Sequence, residues 1–427
     1  MIYAAAGSPT AVIAKPELES LVASALRGLG SASRVIALPP DITRVHSQAG
    51  PITDIAAKIL GPRLSAVLPA LGTHAPMTEA EIASMYPGTP RSLFRVHDWR
   101  KDPVELGRVS AAFVREACGG VVDYDYPVQA NRILVGGDFD ALVSIGQVVP
   151  HEVVGMANHA KNIFVGTGGK EAIDRSHFLG AAYGMERMMG RADTPVRRIF
   201  DEALRIAADR LPPQLWILTV MGRGSKGELV MRGFFAGDDA ECFALATELS
   251  RKVNIDLLDE PIEKAVVWLD PEEFRSTWLG NKAVYRTRMA MADSGELLVL
   301  APGLVHFGED PGIDSLIRRY GYRPSEKIRS LVRENPDLAS SLSAAAHLIH
   351  GSSEGRFAIT YAPGPGLSRE EVESVGYGWA SLDDALKRYD PKTLSPGWNT
   401  LADGERIFFV PNPALGLWST KARFSPS

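Results

Sequence analysis

The chain has 427 residues, 45% hydrophobic and 23% charged, with a formal net charge of −5. That length suits two or three domains, each with its own core, and the composition excludes disordered and fibrous classes. The balance is mildly acidic and carries no basic block or stripe, which argues against a nucleic-acid partner or an anionic membrane surface. Two cysteines, Cys118 and Cys242, cannot build a disulfide framework or a four-thiolate zinc site, so a reducing, cytoplasmic setting is expected. Met1–Ala6 is apolar but lacks the basic region of a secretory signal. The greasiest run, Leu297–Phe307, is cut by Pro302 and Gly303, so no membrane span is expected.

Short β-branched runs alternate with longer amphipathic ones, the pattern of an α/β fold. In the first half, strands are predicted at Val35–Leu38, Ala66–Leu71, Ile133–Val135, Ala141–Ile145, Trp216–Val220 and Leu229–Met231. Helices are predicted at Glu17–Leu29, Glu79–Met85, Val104–Ala117 and Val196–Arg210, the last opened by Asp193-Thr194-Pro195 as cap and first-turn proline. After a glycine-rich hairpin at Met221–Gly233, a second α/β block is expected. It opens with a helix at Ala240–Lys252, then a strand at Ala265–Leu269, a long helix at Pro271–Ala292 and a strand at Leu297–Leu300, one βαβ unit. Helices near Ile313–Arg319, Glu326–Arg333, Leu338–His350 and Asp383–Arg388 precede a late strand, Arg406–Val410. The expectation is two α/β domains, residues 1–236 and 237–412, with a tail at 413–427 and the active site in the cleft between them.

Three predicted strands each deliver ionisable groups just past their carboxyl ends, where open α/β sheets bind ligands. Asp41 and Arg44 follow Val35–Leu38, His74 follows Ala66–Leu71, and His151 follows Ala141–Ile145. The stretch from His151 to His177 then packs three of the nine histidines and two lysines into 27 residues. His97 and His46 read as surface loop residues, and His347 and His350 as structural. Gly166–Lys170 is no Walker loop, because Phe164 and Glu171 stand where glycine and Ser/Thr are needed; a backbone nest for one phosphate stays open. No His-Glu-x-x-His zinc-protease signature is present. What remains is an arginine able to grip a carboxylate, histidines able to move protons, and a lysine between histidines.

This constellation resembles the nickel-dependent lactate racemase family. Asp41-Ile42-Thr43-Arg44 matches its Asp-x-Thr-Arg segment, and Gly72–Thr78 matches its Gly-Thr-His-Arg-x-Met-Thr except at Ala75. Pro150-His151, Lys161 and His177 reproduce the family's intervals, with Gly155 in register. The resemblance implies a nickel-pincer nucleotide, a pyridinium mononucleotide with two sulfur arms, tethered to Lys161 as a thioamide and with His177 as the remaining nickel ligand. It makes His74 and His151 the acid/base pair, with Arg44 on the substrate carboxylate and Asp41 in support. The chemistry suits these residue types. Hydride passes from C2 of a 2-hydroxy acid to the cofactor and returns to the other face, which asks the protein only for two bases near neutral pKa. An arginine fork holds the carboxylate as pivot, soft sulfur plus imidazole suit nickel, and the cofactor carries the hydride step.

The chain also departs from the family pattern. Asn158-His159-Ala160-Lys161 replaces a Gly-Gly-x-Lys approach, with His159 placed to contact a phosphate or the substrate, or to serve structure. Lys282 stands as the second domain's substrate-binding lysine, but Leu279 occupies the place of the usual glutamine. With Ala75 and the polar residues Asn158, His159, Asn162, Asp174 and Arg175, this leans towards a polar sugar acid, an aldonate epimerised at C2, over lactate. The expected partners are a small 2-hydroxy acid and the cofactor-making enzymes. A metal-dependent hydrolase or lyase using His74, His151 and His177 directly, a non-catalytic sugar-acid binding protein, and a family member without loaded cofactor are the competing readings.

Overall fold

The run Val-Ile-Ala-Leu at 35–38 has no polar position, and all four residues are buried, as in a parallel strand covered on both faces. It lies inside the main sheet of the first of two units in this computed structural model, which describes residues 1–224 and 227–424. The first unit comprises Met1–Ser176 and Met188–Asn254; the second comprises His177–Arg187 and the chain from Ile255. Strands of the first unit are β1 (Ile2–Gly7), β2 (Val35–Leu38), β3 (Leu64–Val67), β4 (Pro103–Val109), β5 (Tyr126–Asn131), β6 (Ala141–Gln147), β7 (Pro150–His151), β8 (Gly155–Met156), β9 (Gln214–Arg223) and β10 (Leu229–Gly237). Six form one sheet in the order β1-β10-β9-β6-β2-β3. Strands β3, β2, β6 and β9 run parallel, and β10 and β1 continue antiparallel. Helices Lys15–Leu26 and Ala49–Leu60 cover one face and share a core with Val35, Val67, Val143 and Ile217. The β9–β10 hairpin is present; its tip, residues 225–226, lies outside the described residues.

Several expectations are corrected. The segment 104–117 is not one helix: its first half is β4, paired antiparallel with β5. Ser110 then caps a separate helix, Ala111–Ala117, by accepting from the Phe113 N–H. Gly107 marks the strand, since a Cβ there would lie 2.6 Å from Ile206 Cγ2. Ile133–Val135 is a helical turn rather than a strand, because Asn131 caps the Ile133 N–H. The strand expected at Ala66–Leu71 closes at Val67 and continues irregularly, with the Leu68 and Ala70 N–H groups donating to Ala37 and Pro39. The helix Pro195–Ala207 starts as read, with Thr194 as its cap.

The second unit is built on β12 (Ile262–Trp268), β13 (Met291–Ala301), β14 (Ala358–Pro363), β15 (Gly378–Trp379), β16 (Gly397–Thr400) and β17 (Arg406–Val410), in the order β15-β14-β13-β12-β17-β16. All neighbours are parallel except β16 with β17, and β12–β13 is the βαβ pair expected. The long helix expected at 271–292 is two short ones, Thr277–Gly280 and Lys282–Thr287, because Ser276 starts the first and Asn281 breaks the succession. Leu338–His350 is likewise split, into Pro336–Ala339 and Leu342–His350. Residues 413–424 are no loose tail: Trp418–Thr420 (β18) pairs parallel with β11 (Asp256–Leu258), and Leu417 is fully buried. The division between units falls at Asn254 and not near residue 236, because Ala240–Asn254 packs on β9 and β10, with Ser250 donating to Val148 of the first unit. No helix among the described residues is long and apolar enough to cross a membrane.

Candidate active site

The parallel strands β3, β2 and β6 bring their carboxyl ends to one edge, and the residues predicted there gather in the first unit. After β2 the chain turns through Pro39-Pro40 into a short 3₁₀ helix, Ile42–Ser47, whose cap is Asp41. Asp41 is buried; it accepts from the Thr43 N–H at 3.2 Å and the Thr43 hydroxyl at 2.5 Å. Its other oxygen lies 2.6 Å from His74 Nδ1. Burial opposes ionisation of Asp41, but the hydrogen bonds from His74 and Thr43 prevail and hold the carboxyl below its ordinary range. A carboxylate at Nδ1 fixes the proton there and leaves the Nε2 lone pair of the half-exposed His74 ring as the basic position. Arg44, exposed on the same 3₁₀ helix, is close enough for its charge to act on both Asp41 and Lys161.

His151 is held differently. It lies buried in the hairpin β7–β8, and the Val153 N–H donates to its Nδ1 at 3.1 Å. A ring that accepts at Nδ1 carries its proton on Nε2, so the two histidines are seated in opposite tautomers. Glu152 Oε2 is 3.8 Å from the same Nδ1. Gly155 closes the hairpin at φ 82°, where a Cβ would lie 2.2 Å from the Arg191 carbonyl oxygen, so only glycine fits.

Lys161 lies on the short helix Ala160–Phe164. That helix is seated on β6 by Asn162 Nδ2, which reaches Ser144 Oγ at 3.2 Å and the Ile145 carbonyl at 3.5 Å. The Lys161 side chain is partly exposed but makes no hydrogen bond or salt bridge with any described residue. Burial of its ammonium, reinforced by the Arg44 and Arg197 charges against Glu152 and Asp41, pushes its pKa down to about 8. Arg197 is a residue the sequence reading missed. It sits on the buried stripe of Pro195–Ala207 and donates to the Met156 and Asn158 carbonyls, fixing the approach to Lys161. A charged residue in phase with Val196, Phe200 and Ala203 was the signal in the sequence.

His159 does not face a phosphate or a substrate. Its ring is buried against Trp216, centroids 4.1 Å apart, and Phe243, at 5.3 Å, and neither ring nitrogen has a hydrogen-bond partner among the described residues. Burial pushes its pKa down to about 3. His97 is also no surface residue: it is buried, bonded to the Gly168 carbonyl at 3.2 Å and to Asn131 Nδ2 at 2.9 Å. His46 is exposed as expected, and Gly166 serves structure, its carbonyl taking the Gly72 N–H at 2.9 Å.

His177 and Lys282 belong to the second unit. His177 is half-buried on the helix Lys170–Tyr183, and Lys282 begins Lys282–Thr287 with its Nζ 5.6 Å from the Phe274 ring centre. Beneath Lys282, the buried Asn281 Oδ1 accepts from the Tyr361 and Tyr377 hydroxyls at 2.8 and 2.9 Å. His347, stacked on Trp278, is pushed down to about 3 by burial and the neighbouring His350, which fits a structural role.

Residues 10–188 match the lactate racemase N-terminal domain. Among solved structures, a Thermotoga maritima protein superposes with a TM-score of 0.77 at 23% identity, over 96% of this chain and 98% of that one. The lactate racemase apoprotein from Thermoanaerobacterium thermosaccharolyticum superposes with a TM-score of 0.69 at 15% identity, over 97% and 94%. At these identities the superpositions speak for a shared fold. No curated protein matches the chain.

Proposed function

We propose that this protein is a racemase or epimerase inverting C2 of a 2-hydroxy acid. The observation that carries the reading is Lys161: an amine with a depressed pKa and no hydrogen-bond or ion-pair partner among the described residues, near Arg44 and the Asp41–His74 pair, at the carboxyl edge of a parallel sheet. A lysine whose lowered pKa raises its neutral, nucleophilic fraction suits acylation, so these residues fit the nickel-pincer nucleotide expected of the family. Lys161 would hold the cofactor covalently and His177 would ligate its nickel. When bound, the group supplies the hydride acceptor that C2 requires.

The chain's own residues divide the remaining work. Arg44 binds the carboxylate, its fork fixing the acid while the rest of the molecule turns. His74 takes the hydroxyl proton at Nε2, and Asp41 stabilises the resulting imidazolium through Nδ1–H. His151 presents Nε2–H to substrate oxygen on the other side. Proton transfer at that nitrogen requires a proton on Nδ1, and Glu152 is the carboxylate facing it. Lys282 of the second unit supports substrate binding.

The leaning away from lactate rests on Ala75 and Leu279, apolar side chains where the family carries an arginine and a glutamine. The other polar residues of the stretch have structural partners: Asp174 takes Lys170, and Arg175 pairs with Asp125 and Glu171. The hydrolase reading needs a ligand cluster, and among the described residues no group of three His, Cys, Asp or Glu side chains is placed to hold a metal. The test is production alongside the cofactor-making enzymes, then intact mass, nickel content and a chiral screen of lactate and aldonates. A mass increase on Lys161 with inversion of one of these acids is the expected result. An unmodified chain, with a known family member loaded in parallel, overturns the proposal.

A further inference from the structure

Tethering a cofactor does not exhaust what the surroundings of Lys161 permit. Lys161 is partly exposed, has no hydrogen-bond or ion-pair partner among the described residues, and lies within electrostatic reach of the exposed Arg44 guanidinium and of Asp41, the carboxylate that holds the His74 imidazole. A primary amine so placed is a nucleophile for carbonyl carbon, and an arginine beside it selects a carbonyl compound that carries a carboxylate. We propose that, before the cofactor is attached, Lys161 condenses with a 2-oxo acid held by Arg44 to form an imine. The choice of a 2-oxo acid rests on the racemase reading, in which that compound is the oxidised form of the substrate; the condensation itself needs no nickel.

The step balances without a co-reactant. The nitrogen lone pair adds to the carbonyl carbon, and the C=O π pair moves to oxygen. His74, supported by Asp41, takes the two N–H protons in turn at Nε2 and passes them to that oxygen, which leaves as water as the C=N bond forms. Nothing is oxidised or reduced. Near pH 8 about half of the Lys161 side chains are neutral, against well under one in a hundred for an ordinary lysine. The consequence is regulatory: a 2-oxo acid occupies the one amine the cofactor requires, so it delays loading of newly made chains.

The experiment uses the full chain made without the cofactor-making enzymes, incubated at pH 8 with cyanoborohydride and either pyruvate or acetaldehyde. Intact mass and peptide mapping read the trapped adduct. With pyruvate the expected product is a single addition of one pyruvate less one oxygen atom, on Lys161. Arg44→Ala should lower trapping of pyruvate relative to acetaldehyde by roughly tenfold, the loss of one charge-assisted contact. The ratio removes the common effect of Arg44 on the amine itself. Labelling of Lys161 no faster than of exposed Lys15, or equal loss with both probes in Arg44→Ala, overturns the inference. A chain that fails to trap pyruvate yet gains cofactor on Lys161 refutes the imine and leaves the racemase standing; one that traps pyruvate and never gains cofactor does the reverse.

Discussion

Replacing His159 tests whether the approach to Lys161 stores backbone strain. His159 has φ 57° and ψ −136°, a region essentially reserved for glycine, and Asn158 before it is also left-handed at φ 74°. Such a conformation costs a residue with a Cβ about 1–3 kcal/mol. Comparing His159→Ala with wild type would mix this strain with the cavity left beside Trp216 and Phe243 and with release of two unbonded ring nitrogens. Comparing His159→Ala with His159→Gly cancels both, since each variant removes the whole ring. In ordinary strand or helix interiors glycine is the less stable of the two by roughly 0.5–1 kcal/mol. Here the order should invert, with His159→Gly the more stable by about 1–2 kcal/mol, the strain less the entropy cost of glycine. The assay is urea unfolding followed by tryptophan fluorescence, read as a shift in midpoint at unchanged slope. If the alanine variant equals or exceeds the glycine variant, the strain argument is refuted.

Other expectations follow from the same geometry. His159 must stay neutral, with a folded pKa of about 3 against 6.5 unfolded, so the unfolded chain binds the extra proton between these values. Stability from this residue is complete above pH 6.5 and falls as the pH drops towards 3, a loss of about 2 kcal/mol at pH 5. His159→Phe should lose correspondingly less between pH 7 and pH 5 in urea titrations. Glu152→Gln removes a carboxylate that favours the Lys161 ammonium, so the pKa of Lys161 should move below about 8; its acylation rate against pH measures this. Asp41→Asn should cost the loaded enzyme about 10²-fold or more in kcat, because His74 loses the carboxylate that fixes its tautomer. Long-range ¹⁵N spectra of labelled cofactor-free protein check the cause: wild type should show His74 protonated at Nδ1 and His151 at Nε2, and only His74 should change in the variant.

By itself the sequence determined the α/β class, most parallel strands and where the ionisable residues of the candidate site fall along the chain. Runs such as Val35–Leu38 carry their burial in their composition, and Asp41, His74 and His151 fall just past strands whose direction is fixed once the sheet is parallel. Local sequence did not distinguish a strand from a helix at Pro103–Val109, because that preference comes from its partner β5 and from a close approach to Ile206. Nor did it separate surface from interior for His97 and His159, since an imidazole suits water or a buried aromatic stack and only the neighbours decide. The same holds for the two histidines of the site. Their identity was legible in the motifs, but their opposite tautomers depend on a carboxylate 33 residues away in one case and a backbone N–H two residues away in the other. Tertiary structure alone decides which nitrogen holds the proton, because hydrogen bonds act through space and the sequence records only the order of the chain.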